Sequence, residues 1–433
     1  MRAQEYIIKL LISDEVICQS VWYGSLKTVP DNCSIVIVSS DFFEDGVYGT
    51  PRTLPKIPFP LLPNTDIPFL FGEPRLEKTT DGKIILYADL VASAYFLLSR
   101  YEEIIKPECR DQHGRFLAKD SIVFQQGYGM RPLVDEWGRY LKSLLRECGV
   151  DVPEEKKGFK KIYLTHDVDT PFFFWRKDQV IKQWVKNIIH YGTKVPNPLR
   201  MYLTAKNDPY YTFPKIIKYD NKLREKVGND FVESIYFLIT APTNQNKTYC
   251  NIKLPKYKKM VKQLTDSEAT LGLHVSYEGG TNTSLLKKEI ARLPDCINKA
   301  NLKSRHHFLR WQEPRMIDAM EEAGIKEDFT IGYPDSVGFR VGTCRPYYFI
   351  NPQTKRVTDV LVHPMQIMEC SLDRQYYMGL PFEKSLELCM FLIDVTYNNN
   401  GELVLLFHNP IWSSNHYYGP LYEQLLDYCM KKT

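Results

Sequence analysis

The sequence predicts an α/β protein whose larger part is built on a mostly parallel sheet. Beyond about residue 160, short apolar runs typical of buried strands alternate with longer segments whose apolar residues recur at helical spacing. Such alternation produces parallel strands, in a sheet that is either open or closed into a barrel. A composition of 44% hydrophobic and 25% charged residues over 433 residues excludes a disordered or fibrous chain and suffices for two domains.

The first 155 residues predict a small α/β unit that precedes the larger domain. The expected strands are Tyr6–Ile12 and Ser34–Ser39, and the expected helices are Ala88–Ile105 and Asp135–Cys148. A polar segment at Pro153–Gly158 marks a boundary, so we predict one domain over residues 1–155 and a second over 156–433. The first block gathers no catalytic residue types, and its one histidine is His113.

The second block supplies the strand–helix alternation. The expected strands are Lys161–Thr165, Ile235–Ile239, Thr270–Val275, His306–Arg310, Thr330–Tyr333 and Leu403–His408. The expected helices are Lys256–Leu264, Leu285–Asn301, Arg315–Ala323 and Glu383–Tyr397.

A basic insertion, residues 170–231, interrupts this alternation. It contains twelve basic side chains against five acidic ones, together with several tryptophans and tyrosines. One interpretation is a lid or rim that binds an anionic sugar or a nucleotide-sugar. The same basic surface could instead make peripheral contact with a membrane. The other is a solvated insertion without a partner.

The charge balance and the apolar runs exclude two classes of partner. Basic residues number 56 and acidic residues 52, so the net charge of +4 does not favour nucleic-acid binding. No run of about 18 apolar residues is present, so we expect no membrane span. No signal-peptide cleavage pattern follows the N-terminus, and the ten cysteines form no Cys-x-x-Cys pair. We therefore predict a cytoplasmic protein.

Histidines are concentrated where a parallel sheet would place an active site. Seven of the nine fall in the second block outside the basic insertion, several of them within an expected strand or at its carboxyl end: His166, His274, His306, His307, His363, His408 and His416. The loops that follow parallel strands converge at that edge of the sheet. A single histidine is more often a packed core residue, but several at strand ends favour a site.

The segment Thr165-His166-Asp167-Val168-Asp169 carries the most specific pattern. Two carboxylates two residues apart, where a strand stops, can point to one side, so that one binds a divalent metal and the other accepts a proton. The alternative is a strand-end aspartate that caps the next helix. His274 supplies an imidazole ligand, and only one of His306 and His307 can face inward if that segment is extended.

These residues resemble the polysaccharide deacetylases with a NodB-type domain. Their first motif is similar to Thr165–Asp169, in a variant spelling that implies Asp167 as the base and Asp169 as a metal ligand. The usual His-x-x-x-His motif is broken, because Glu278 stands four residues after His274. The third ligand is then His307, His306 or Glu278. The resemblance favours His307, because its surroundings are similar to a segment of relatives that have the same variant of the first motif.

The family's third motif is similar to Gly338–Tyr347, where Arg340 and Arg345 stand in separate parts of the pattern. The resemblance implies that one of these arginines orients the base, and the alternative for either is a surface ion pair.

The closing motif resembles Leu403–Asn409, which implies that His408 is the general acid for the leaving group. The fourth motif has no clear match, although His363 and Glu369 occupy that part of the chain. His166 has no assigned role and either contacts substrate or packs.

The resemblance covers about residues 160–410 and implies a distorted (β/α) barrel of NodB type, preceded by the small α/β domain. It also implies a metal-dependent hydrolase of bacterial type, acting on a carbon–nitrogen bond other than a peptide bond. The expected reaction removes an acetyl group from an N-acetylated sugar of a polysaccharide or its precursor. The expected cofactor is a divalent metal, zinc first and cobalt, nickel or manganese as alternatives. The other readings are a ureide-type hydrolase and a non-catalytic carbohydrate-binding protein.

Overall fold

The structure of the chain is a computed structural model. It describes residues 2–175, 177–191, 198–205, 208–241, 252–311, 315–412 and 417–433. Parts of the basic insertion (Arg176, Lys194 and Lys206) and the histidine His416 therefore lie outside the described residues. No helix among the described residues has both the length and the apolar character needed to cross a membrane.

The first block forms a four-stranded sheet with helices packed on it. Its strands are β1 Val21–Gly24, β2 Ile35–Val38, β3 Gly72–Lys78 and β4 Ile84–Ala88. Its helices are α1 Ala3–Ile12, α2 Leu90–Leu98, α3 Glu102–Ile105, α4 Ile122–Gln125 and α5 Leu133–Glu147. The strand order is β1-β2-β4-β3, in which β3 is antiparallel to β4 and the other pairs are parallel.

The rest of the chain forms a nine-stranded sheet that curls into a half-barrel. Its strands are β5 Lys161–Val168, β6 Val232–Leu238, β7 Thr270–Val275, β8 Leu302–His306, β9 Ile325–Asp328, β10 Tyr347–Asn351, β11 Arg356–Val362, β12 Ile367–Met368 and β13 Glu402–Leu406. The order is β10-β11-β9-β8-β7-β6-β5-β13-β12, and every neighbouring pair is parallel except β10 with β11. The expected α/β class with a mostly parallel sheet is confirmed.

Helices accompany this sheet along the chain, as crossover connections between parallel strands require. They are α6 Lys177–Tyr191, α7 Pro198–Leu203, α8 Phe213–Val227, α9 Pro255–Asp266, α10 Thr283–Ala291, α11 Arg315–Glu322, α12 Glu369–Asp373, α13 Phe382–Asn398 and α14 Tyr418–Lys432. Helices α6, α7 and α8 occupy the basic insertion.

Three expected strands are wrong. Tyr6–Ile12 is part of helix α1, because its buried residues recur at helical spacing and pack against α2 and α5. The strand expected at His306–Arg310 ends at His306, where the backbone turns into a short helical segment. The strand expected at Thr330–Tyr333 is instead β9, which lies five residues earlier.

The two blocks are packed together through one continuous hydrophobic core that draws on both. The backbone N–H of Val134 donates to the carbonyl of Gly342 at 2.8 Å, and that of Tyr348 donates to the Tyr6 hydroxyl at 2.6 Å. These contacts hold the first block against segments near the end of the larger sheet.

Candidate metal centre

Strand β5 lies in the interior of the larger sheet and delivers two carboxylates to its carboxyl edge. It pairs with β6 on one side and β13 on the other, and its residues from Ile162 to Val168 are buried. Because side chains alternate along a strand, Asp167 points to one face and His166 to the other. Asp169 follows directly after the strand and remains partly exposed.

His166 belongs to the packed core on the opposite face. Its Nδ1 lies 3.0 Å from the Phe407 carbonyl oxygen and its Nε2 lies 3.3 Å from Asp220 Oδ2. The Tyr422 hydroxyl donates to the other oxygen of Asp220 at 2.5 Å. The structure therefore shows the packed alternative for His166.

Asp169, His274 and His307 come together from the ends of three strands of the sheet, β5, β7 and β8. His274 Nε2 lies 3.1 Å from Asp169 Oδ1, and His307 Nε2 lies 3.5 Å from the same oxygen. One possible ligand atom from each residue lies within 4.8 Å of those of the other two. The grouping arises because β5, β7 and β8 are parallel and end at the same edge.

The backbone orients the histidines. His274 Nδ1 lies 2.8 Å from the carbonyl oxygen of Arg305, so the other ring nitrogen is directed toward Asp169. His307 follows the last residue of β8, and the next residue, Phe308, has a left-handed backbone with φ of 62°. That turn changes the direction of the chain immediately after the second imidazole.

The other two candidates for third ligand lie elsewhere. His306 Nδ1 lies 3.2 Å from the carbonyl oxygen of Arg310, and its ring stacks on Trp311 with centroids 6.2 Å apart. Glu278 occupies the N-cap position of the short helical turn Gly279–Thr281. Neither belongs to the group formed with Asp169, whereas His307 does.

Asp167 is held by a buried guanidinium. Arg305 Nη1 donates to Asp167 Oδ1 at 3.1 Å and to Thr165 Oγ1 at 2.7 Å, and Arg305 Nε donates to the Phe329 carbonyl at 3.0 Å. The guanidinium carbon also lies 4.8 Å from the centre of the Phe237 ring. Arg305 is completely buried, so its position is fixed by packing as well as by hydrogen bonds.

Arg305, and neither Arg340 nor Arg345 as we expected, makes the hydrogen bond to Asp167. Arg340 donates to Glu103 Oε1 at 2.6 Å and to the Gly332 carbonyl at 2.7 Å. Arg345 donates to Glu155 Oε1 at 3.0 Å and lies 3.5 Å from Asp135. Both guanidinium groups contact carboxylates of the first 155 residues, which ties the two blocks together.

His408 forms the remaining side of the site together with Glu369, the first residue of α12. His408 Nδ1 lies 2.6 Å from Glu369 Oε1, and His408 Nε2 lies 3.7 Å from Asp169 Oδ2. Burial opposes protonation, but Glu369 and the nearby Cys370 outweigh it and raise the pKa of His408 well above its usual value. The other ring nitrogen of His408, Nε2, faces the site.

Neighbouring charges also shift the pKa values of Asp169 and His274. Burial alone would raise the pKa of Asp169, but His307, His274 and His408 hold it well below its usual value. Burial alone would lower the pKa of His274, but Asp167 and Asp169 raise it. Groups whose pKa values are shifted by burial and by specific charged neighbours are concentrated at functional sites.

These groups surround a cavity of about 120 Å³. Its walls are Arg115, Asp167, Asp169, His307, Phe308, Leu309, Met368, Cys370, Arg374, Tyr377, Leu406 and His408. The first block, in which we expected no gathering of catalytic residue types, contributes Arg115 to this wall. Arg115 Nη1 also donates to the Phe308 carbonyl at 3.2 Å, which supports the left-handed turn after His307.

The donor set fits a divalent transition metal. One carboxylate and two imidazoles are ligands that zinc, cobalt, nickel and manganese all accept, and three protein ligands leave positions for water and substrate. The imidazole of His274 already has the backbone hydrogen bond that metal-binding histidines usually have.

Comparisons with known proteins give partial information. Residues 10–149 match the model of DUF7033, a family of unknown function. No curated protein matches the chain. A solved structure described as a "putative polysaccharide deacetylase from Mycobacterium smegmatis" is similar at 10% identity and a TM-score of 0.39, over 64% of this chain and 85% of that one.

Proposed function

We propose that the chain is a metal-dependent hydrolase that removes the acetyl group from an N-acetylated sugar of a polysaccharide or its precursor. The single observation that carries the proposal is the joint placement of three functions at one cavity. These are a ligand set of Asp169, His274 and His307, a carboxylate held by an arginine, and a histidine paired with a buried glutamate. Metal-dependent hydrolysis of an amide can use these three functions together.

A divalent ion bound by these ligands would act as a Lewis acid toward the amide carbonyl oxygen. Asp167 would accept a proton from the attacking water, and Arg305 would hold its carboxylate in one orientation. His408 would then donate its proton to the departing nitrogen. Because an amine anion is a poor leaving group, a histidine with a raised pKa favours amide over ester cleavage.

The first test is the metal content of the purified protein beside single variants. We expect about one metal per chain in the wild type, and none in Asp169→Ala, His274→Ala or His307→Ala. Glu278→Ala is the matched control and should keep its metal. Loss with Glu278→Ala and retention with His307→Ala would reject our choice of ligand, and no metal under any loading condition would reject the mechanism.

The second test separates metal binding from catalysis. Asp167→Asn keeps a polar side chain of the same size, so we expect it to retain metal and to lose about 10²-fold or more in turnover of N-acetylated oligosaccharides. Released acetate measures the turnover. Full activity of Asp167→Asn would remove Asp167 from the reaction.

A ureide-type hydrolase is the second candidate, and the size of the cavity favours it. A volume of about 120 Å³ receives an acyl group or a small amide, whereas a polysaccharide segment would have to lie outside. Comparing kcat/KM for cyclic and linear ureides with that for N-acetylated oligosaccharides decides between the two. Faster ureide hydrolysis would replace the deacetylase proposal.

A further inference from the structure

The turn after α12 brings a second arginine to the wall of the cavity. The backbone N–H groups of Tyr377 and Gly379 both donate to the carbonyl of Arg374, at 2.8 and 3.1 Å, which closes a tight turn. Arg374 and Tyr377 both line the cavity. The turn therefore presents a guanidinium and a phenol to whatever occupies the site.

The first block anchors this turn. Arg115 Nη2 donates to the Tyr377 hydroxyl at 3.0 Å and to Asp111 Oδ2 at 2.6 Å. The Arg115 side chain is only 7% exposed, so it is a fixed support and its charge is neutralised by Asp111. Arg374 differs from it in this respect.

Arg374 lines the cavity, is itself exposed to solvent and has no carboxylate partner among the described residues. Its contacts are the Tyr376 hydroxyl at 2.7 Å and Cys370 Sγ at 3.4 Å. A guanidinium has five N–H donors in a planar fork that matches a carboxylate or a phosphate. Inside the cavity the negative charge of Asp167 is compensated by Arg305, so a bound anion would not be repelled there.

Arg374 lies close to the reacting groups. Cys370 Sγ, which accepts its hydrogen bond, lies 3.8 Å from His408 Nδ1. A single side chain thus separates the guanidinium from the general acid. An acidic group held by Arg374 would belong to the sugar unit that is being deacylated, and not to a distant unit of the polymer.

We propose that Arg374 binds a carboxylate or phosphate carried by the acylated sugar unit itself, so that the substrate is an anionic N-acyl sugar. This inference rests on the proposed function and adds its substrate class. The turn at Arg374 provides the specificity, and Arg115 of the first block holds that turn in position.

The test uses the full chain loaded with metal and three oligosaccharides of equal length. One is neutral and N-acetylated, one has a carboxylate on the acetylated ring, and one has a phosphate ester there. We expect kcat/KM for at least one acidic substrate to exceed that for the neutral one by about tenfold or more, and the arm that gains identifies the acid. Equal values for all three would overturn the inference while leaving the deacetylase proposal intact.

Variants test whether Arg374 causes the preference for acidic substrates. Arg374→Gln should reduce the ratio of acidic to neutral kcat/KM to near one, mainly through KM, and Arg374→Lys should keep part of it. Arg75→Gln removes an exposed arginine of β3 that does not line the cavity, and it should keep the wild-type ratio. An unchanged ratio in Arg374→Gln would overturn the inference.

Binding measurements separate a failure of the deacetylase proposal from a failure of the proposed role of Arg374. If none of the three sugars is deacetylated, the proposed function fails, and calorimetric binding of the same sugars then tests Arg374 by itself. Tighter binding of an acidic sugar that disappears in Arg374→Gln supports the inference. Equal binding of all three, or none, overturns it.

Discussion

Two charged clusters lie at opposite ends of the same sheet, and they differ in how their carboxylates are compensated. The upper cluster comprises Asp167, Asp169, His274, His307 and His408 at the carboxyl ends of the strands. The lower cluster comprises Lys161, Glu233, Lys303, Glu327, His363 and Glu402, which border a cavity of about 700 Å³. Both contain carboxylates and histidine.

In the lower cluster every carboxylate lies beside a lysine or a histidine, and Glu233 and Glu327 share Lys303. Lys303 lies 2.7 Å from Glu327 and 3.2 Å from Glu233, and His363 Nδ1 lies 2.7 Å from Glu402. In the upper cluster no lysine contacts Asp169, which faces only imidazoles among the described residues. Histidine and carboxylate together do not define a metal centre. The upper cluster differs in that three imidazoles converge on one carboxylate, Asp169.

Among the variants that test this difference between the clusters, we expect the largest effect from Lys303→Met, on the free energy of unfolding. The Lys303 side chain is 10% exposed, and its loss would leave two partly buried glutamates, Glu233 and Glu327, without the cation that they share. We expect the free energy of unfolding to fall by about 3 kcal/mol at pH 7, measured by urea denaturation. Metal content should be unchanged, and loss of metal would show that the two clusters are coupled.

Glu369→Gln tests the upper cluster without touching a metal ligand. It removes the charge that raises the pKa of His408, so we expect a loss of about 10²-fold in kcat for N-acetylated substrate, with metal retained. The pH–rate profile should lose activity at lower pH than the wild type on its basic side, because His408 deprotonates earlier. An unchanged profile would remove His408 as the acid.

The pH dependence of the free energy of unfolding should reveal the contribution of His363 to stability. Burial opposes its protonation, but Glu327 and Glu402 raise its pKa in the folded state. The stabilisation is therefore fully present below the unfolded value of about 6.5 and is lost as the pH rises through the folded pKa. The unfolding free energies of the wild type and His363→Gln should differ more at pH 5.5 than at pH 9. A difference that grows with pH would contradict this assignment.

Lys161→Met should have the smallest effect. Lys161 lies 2.7 Å from Glu233 but is 30% exposed, and Lys303 remains 3.2 Å from the same carboxylate. We expect a loss below about 1 kcal/mol in the unfolding free energy. A loss as large as that of Lys303→Met would show that the lower cluster depends on every member equally.

The upper cluster could be anticipated from sequence because its residues follow strands. Asp167, Asp169 and His274 stand at the ends of apolar runs, and parallel strands bring such ends together whatever their separation in the chain. Arg305 could not be anticipated in the same way. A buried arginine within a strand leaves no periodic signal, and its partner Asp167 lies 138 residues away. The available sign was its position two residues before His307, on the same side of an extended segment.

Helix α1 is a case in which a clear sequence pattern led to the wrong prediction of a strand. Residues Tyr6–Ile12 are almost continuously apolar, and a run of that kind does not distinguish a buried strand from a buried helix. The helix is selected by its packing against α2 and α5, which local sequence does not reveal. Lys303 and its glutamates were missed for a related reason, since each residue alone resembles an ordinary surface charge.

The contact between Tyr6 and Tyr348 has a consequence for the order of events during synthesis. The two residues are 342 positions apart, and bacterial or eukaryotic ribosomes add about 5–20 residues per second, so the first waits roughly 20–70 s for the second. The four-stranded sheet can form in that interval, but the surface it later buries against the larger sheet stays in water. The nascent chain is therefore exposed to aggregation until translation has passed residue 348.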